Sequence, residues 1–98
     1  MRFVVAFATF LLVYFVVAEC LTNVAKHARA TLVEVHVAVA AGRLMVQVTD
    51  NGSGGAEPSA GHGLQGLADR VTLAGGTLTL TSPGGGPTNV TAAVPLAP

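Results

Sequence analysis

Ten residues near the start of the chain, ECLTNVAKHA (19–28), set an acid, an amide, an amine and an imidazole into a greasy segment. Only 10% of the 98 residues are charged, so this concentration stands out. On an α-helix at 100° per residue, Glu19, Asn23, Lys26 and His27 share one arc of about 100°. An amphipathic helix turns an arc of that width to water, so a solvated stripe is one reading. The chemistry of the four is mixed, however. Glu19 and Asn23 offer hard oxygen ligands one turn apart, suited to Mg²⁺. Lys26 and His27 offer donors suited to phosphate oxygens.

A second group is DNGSGG (50–55), at the end of an alternating segment. Asp, Asn and Gly are favoured in polar turns, which is the plain reading. The other reading puts the Asp50 carboxylate into a cleft, where it can accept the exocyclic N–H of adenine. Gly52 and Gly54 then leave room for a flat ligand against the backbone. A third group, GHGLQGL (61–67), leads straight into a helix. Amides at a glycine-rich helix N-terminus attract phosphate. The spacing of Gly61, Gly63 and Gly66 imitates a dinucleotide fingerprint, but no strand joins it by a tight turn, so a Rossmann reading fails. No phosphate-loop motif with its lysine is present either.

The elements that must hold these residues are legible from periodicity. Residues 4–29 read as one helix, with Val16, Val17, Leu21, Val24 and Ala28 at helical spacing. TLVEVHVAV (31–39) alternates, with Val33, Val35, Val37 and Val39 on the face expected to be buried. AAGR is a turn, and LMVQVTD (44–50) completes an antiparallel hairpin. Residues 51–63 hold five glycines and a proline and cannot be regular. LQGLADRVTLAG (64–75) is a short helix, and strands follow at 77–82 and 88–96, the last limited by Pro95 to an edge or an end. The expected fold is α+β: a two-layer sandwich with a mixed or antiparallel sheet and helices on one face.

Taken in order, these segments resemble the GHKL family of ATP-binding domains. The match is closest to the catalytic domain of two-component sensor histidine kinases, in the short-lid branch that pairs with helix-turn-helix response regulators. LTNVAKHA, VTDNGSG, GHGLQGLADRV and GGTLTLTSPGGG carry the resemblance, which runs from about Tyr14 to Leu96. It implies ATP and Mg²⁺ as ligands. Asn23 would bind the metal and Glu19 would help place it. Lys26 and His27 would reach phosphate or ribose, and Asp50, Gly52 and Gly54 would hold adenine. Gly61, Gly63 and the adjoining Leu64 would close on the phosphates, and Thr88 would sit beside adenine. Residues 55–62 would form the mobile lid. A dimerisation domain carrying the phosphoacceptor histidine, and a response regulator, would be the partners, in the cytoplasm.

Other features take plainer readings. The formal charge is zero, which argues against nucleic acid or a membrane surface bound through bulk charge. Cys20 is the only cysteine and suits a small core position, so no internal disulfide forms. His36 and His62 are read as solvated, and Arg70 as a local ion-pair or sheet-edge residue. Residues 1–13 read as an atypical apolar extension of the first helix, ahead of the ATP-binding domain at 14–98, where the family has a strand. Phe3 to Ala18 carry no charge, which also fits a signal or short membrane segment, and membrane contact follows only if 3–18 form an anchor. A missing edge strand would expose apolar surface and promote self-association. Other functions left open are a nucleotide-binding module without kinase activity, a small membrane-anchored protein, and a related serine kinase of the anti-sigma type.

Overall fold

The computed structural model describes residues 7–25, 30–52 and 63–96. Helix α1 (Phe7–Asn23) is followed by strands β1 (Val33–Ala40) and β2 (Arg43–Asp50). Helix α2 (Leu64–Leu73) and strands β3 (Thr77–Thr81) and β4 (Thr88–Pro95) complete the order. The four strands form one sheet in the order β1-β2-β4-β3, with every neighbouring pair antiparallel. Both helices lie on one face of it, so the fold is the expected α+β sandwich with a purely antiparallel sheet.

Register explains the core. Val35, Val48, Val90 and Leu80 form one row across the sheet, and Val37, Val46, Ala92 and Leu78 the next. Because side chains alternate, these rows share the helix-facing side. Leu12, Val16 and Cys20, spaced one turn apart on α1, and Leu64, Leu67 and Val71 on α2 close over them. The opposite side carries Glu34, Thr49, Asn89 and Thr81 in one row and His36, Gln47, Thr91 and Thr79 in another, and it is left to water.

Local chemistry sets the ends of the elements. The β1–β2 turn uses left-handed Ala41 (φ 53°) and Gly42 (φ 72°), the geometry of a two-residue hairpin loop. After α2, the Gly76 amide donates to the Val71 carbonyl and the Gly75 amide to that of Thr72, both at 2.9 Å. This is a Schellman stop with left-handed Gly75. Gly76 has a second constraint: a Cβ there would collide with the Ala93 carbonyl and Val94.

Two expectations need correction. The first helix does not continue in α geometry to residue 29. It ends at Asn23, and Val24 and Ala25 form a wider π-type turn. The valine face of β1 is not buried. Val33 is half-covered, but Val35, Val37 and Val39 are exposed. The cause is topological. α1 rests mainly on β2 and β4, and α2 on β3 and β4, so β1 at the sheet edge has little cover from either helix.

Candidate functional site

The site begins where β2 ends. Asp50 lies opposite Thr88 in the β2–β4 register, on the helix-facing side with Val48 and Val90. It is the most buried charged group among the described residues, with 5% of its surface accessible. The next bend brings the Gly52 amide back to donate to Asp50 Oδ1 at 2.8 Å. Among the described residues that amide is the one hydrogen-bond donor to the carboxylate. A buried carboxylate has several acceptor positions, so capacity is left for an incoming N–H. Thr88 is also buried, and its hydroxyl shares a 2.6 Å hydrogen bond with that of Ser82.

Asn51, beside Asp50, has a different task. Its Oδ1 accepts from the amides of Thr31 and Leu32 at 2.9 and 3.0 Å, and its Nδ2 donates to Thr31 Oγ1 at 2.9 Å. This clasp fastens the exit of β2 to the entry of β1 and so holds the Asp50 corner in place.

The other wall comes from α1. Glu19 and Asn23 lie one turn apart and both are half-buried. The Glu19 carboxylate rests against Gly63, so closely that a Cβ on Gly63 would overlap it. Gly63 is the N-cap of α2, in the left-handed conformation at φ 77°, and no side chain caps the helix. Glu19, Thr22, Gly63, Gly66 and Arg70 line a cleft of about 310 Å³ between the two helices. At its rim the Arg70 guanidinium stacks 4.3 Å over the Phe15 ring, a cation–π contact rather than the expected ion pair.

Cys20 links the two walls. Burial first, then the negative charges of Glu19 and Asp50, push its thiol up to about 12. The thiol therefore stays protonated near neutral pH and has no nucleophilic role. Two carboxylates from separate elements thus bear on one buried atom.

Of the residues singled out in the sequence, Glu19 meets Gly63 beside Leu64 at the start of α2, Asn23 lies one turn on from Glu19, and Asp50, Gly52 and Thr88 gather where β2 ends and β4 begins. Leu64 is a core side chain, 2% exposed, so only its backbone is open to contact. Lys26, His27, Gly54 and Gly61 lie outside the described residues, as does His62. The helical arc that grouped Lys26 and His27 with Glu19 assumed α geometry that stops at Asn23. Sequence reasoning missed Ser82 and the clasp of Asn51. Asn51 was detectable, since asparagine readily bonds nearby backbone; Ser82 carries no distinguishing signal.

The family described as Histidine kinase-, DNA gyrase B-, and HSP90-like ATPase matches residues 10–98. The chain is 35% identical to sensor histidine kinase YdfH of Bacillus subtilis over 75 residues, which is 70% of this chain and 18% of that protein. It is 42% identical to the histidine-protein kinase/phosphatase UhpB of Salmonella typhimurium over 65 residues, 64% of this chain and 13% of that one. The chain spans less than a fifth of the length of these curated relatives. Among solved structures, the histidine kinase domain of the blue-light activated kinase from Erythrobacter litoralis superposes with a TM-score of 0.73 at 30% identity. That alignment covers 87% of this chain and 43% of that one. The ATP-binding domain of PrrB from Mycobacterium tuberculosis superposes with a TM-score of 0.67 at 30% identity, covering 93% and 68%.

Proposed function

Because the chain belongs to the histidine kinase-, DNA gyrase B- and HSP90-like ATPase family, we propose that it is the ATP·Mg²⁺-binding catalytic domain of a sensor histidine kinase in the cytoplasm. In this reading it presents the γ-phosphate to a histidine on a separate dimerisation domain, whose phosphoryl group then passes to a response regulator.

The observation that carries the reading is the Asp50 carboxylate, buried yet holding a single donor among the described residues. It suits the exocyclic amine of adenine, and Thr88 and Ser82 supply hydroxyls beside it. Gly52 is itself buried, and having no side chain it leaves the ligand free to approach the backbone. On the other wall, Glu19 and Asn23 offer one carboxylate and one amide oxygen. That donor set fits Mg²⁺, which takes few protein ligands and completes its shell with phosphate and water. Among the described residues no group of three His, Cys, Asp or Glu gathers that would suit a dedicated protein cage. The ion would neutralise phosphate charge. The chain's own contribution is positioning: Asp50 fixes the base and the first turn of α2 faces the phosphates. Lys26, His27, Gly54 and Gly61 are assigned to the same pocket by family resemblance.

Calorimetric titration with ATP and Mg²⁺ tests the binding step. Asp50→Ala should weaken ATP binding by about tenfold or more, and retained parent affinity would remove Asp50 from the site. Asn23→Ala should remove the Mg²⁺ dependence of binding; unchanged dependence would refute the metal role. Supplying a phosphoacceptor domain with labelled ATP separates a kinase domain, which transfers label, from a nucleotide-binding module, which does not.

A further inference from the structure

One polar row crosses the end of the sheet. Asp50 lies opposite Thr88 in the β2–β4 register, and Ser82 follows one step past the Thr81–Asn89 pair of β3 and β4. Asp50 and Thr88 face the helices beside the apolar row of Val48, Val90 and Leu80. Thr88 is buried, and its hydroxyl lies 2.6 Å from that of Ser82. It therefore has a carboxylate residue on one flank and a second hydroxyl on the other. We propose that Ser82 is a positioning residue for base recognition. Its hydrogen bond makes the Thr88 hydroxyl a fixed donor beside the Asp50 acceptor. The inference rests on the ATP reading of this corner and names a further residue that sets which base it takes.

A hydroxyl carries one proton and two lone pairs, and it rotates to suit its neighbours. By geometry alone, the bond between Ser82 and Thr88 can run either way. Asp50 decides its direction. A carboxylate on one flank attracts the positive end of the Thr88 O–H dipole, so the proton turns towards that side. The lone pair left on the other flank accepts from Ser82. Among the described residues the Gly52 amide is the one donor to the Asp50 carboxylate. The Thr88 proton is thus available to a ligand that reaches both groups.

An acceptor followed by a donor fits a base edge that reads donor, then acceptor. Adenine presents that order: its exocyclic amine can face Asp50 while a ring nitrogen next to the amine, N1 or N7, faces Thr88. Guanine and hypoxanthine carry a carbonyl oxygen in place of the amine. That oxygen would meet the carboxylate with no proton between them, leaving both unsatisfied. Asp50 therefore selects the amine, and Ser82, acting through Thr88, selects the ring nitrogen beside it. Without Ser82 the Thr88 hydroxyl is free to rotate and its bond to the ring nitrogen weakens.

The test is calorimetric titration of the whole 98-residue chain with nucleotide and Mg²⁺. Ser82→Ala should weaken ATP binding by about three- to tenfold, the range for one neutral hydrogen bond. Ser82→Thr keeps the hydroxyl and should bind ATP as the parent does. Thr88→Val loses the same contact, so adding Ser82→Ala to it should cost nothing further. Two ATP analogues, with N1 or N7 replaced by C–H, locate the contact. For one of them the parent and Ser82→Ala should bind alike, because the contacted nitrogen is gone. Ser82→Ala that binds ATP as tightly as the parent overturns the inference. So does an equal loss for ATP and both analogues, which is what a merely structural role at the end of β3 would give. A parent that binds no ATP refutes the ATP reading itself and takes the inference with it.

Discussion

The Glu19 carboxylate lies directly against Gly63, joining the C-terminal part of the first helix to the start of the second. The contact leaves no room for a side chain, and the left-handed φ of 77° at Gly63 is itself costly for any other residue. Gly63→Ala should therefore destabilise the domain by about 2 kcal/mol or more, read as a lowered midpoint in urea. Removing the carboxylate relieves the overlap but not the backbone strain. The double variant Glu19→Ala/Gly63→Ala should recover part of the loss, and full recovery would show that the φ contributes nothing.

At the Asp50 corner, binding and stability separate. Asp50→Ala removes the buried acceptor and should reduce ATP affinity by about tenfold or more, because hydrogen bonds to charged groups are worth about 1.5–3 kcal/mol. The Gly52 amide loses its partner in the same variant. Calorimetry should register the affinity loss, and circular dichroism should show the sheet intact.

The clasp at Asn51 predicts a graded series. Asn51→Ala loses all three of its side-chain hydrogen bonds to Thr31 and Leu32 and should cost about 1–3 kcal/mol. Asn51→Asp keeps the acceptor and loses only the donor to Thr31, so it should cost less. Thermal melts of both variants rank them, and an aspartate variant as weak as the alanine one contradicts the donor–acceptor assignment.

Cys20 predicts a pH dependence. Burial, then the charges of Glu19 and Asp50, raise its thiol to about 12 in the folded state, from 9.0 in a free cysteine. The folded state therefore holds its proton over a range in which the unfolded chain has released it. Stability from this group is complete below about pH 9 and is lost as pH rises towards about 12. Denaturant midpoints should fall over that alkaline window and fall less in Cys20→Ala. At pH 8 the folded thiol should alkylate far more slowly than the unfolded one.

Leu64 tests the core rather than the chemistry. It is among the largest fully buried side chains and anchors the first turn of α2 beneath Gly63. Leu64→Ala should cost about 2–5 kcal/mol in a thermal or urea melt. Because α2 carries the Gly63 end of the cleft, nucleotide affinity should fall with it.

Much of the fold is legible in the sequence. Alternation in VEVHVAVA and RLMVQVTD specifies strands, the intervening Ala-Gly specifies a tight hairpin, and Gly75-Gly76 marks the end of α2. These are local properties, set by side-chain periodicity and by backbone sterics within a few residues. The same locality singled out Glu19, Asn23 and Asp50 as candidate ligands, since residue type and spacing set what each group can offer.

What the sequence could not determine was which apolar face finds a partner. Val46 and Val37 sit opposite each other in register with the same alternation, yet one is 2% exposed and the other 56%. The difference comes from strand order, which puts β2 beneath α1 and β1 at the edge. Likewise, nothing local to Glu19 or Gly63 predicts their contact, which joins residues 44 positions apart through the packing of α1 against α2. The sequence by itself determined the elements and the types of group they carry. Tertiary structure decided which groups meet and which surfaces stay open, because burial depends on long-range neighbours that short-range periodicity does not encode.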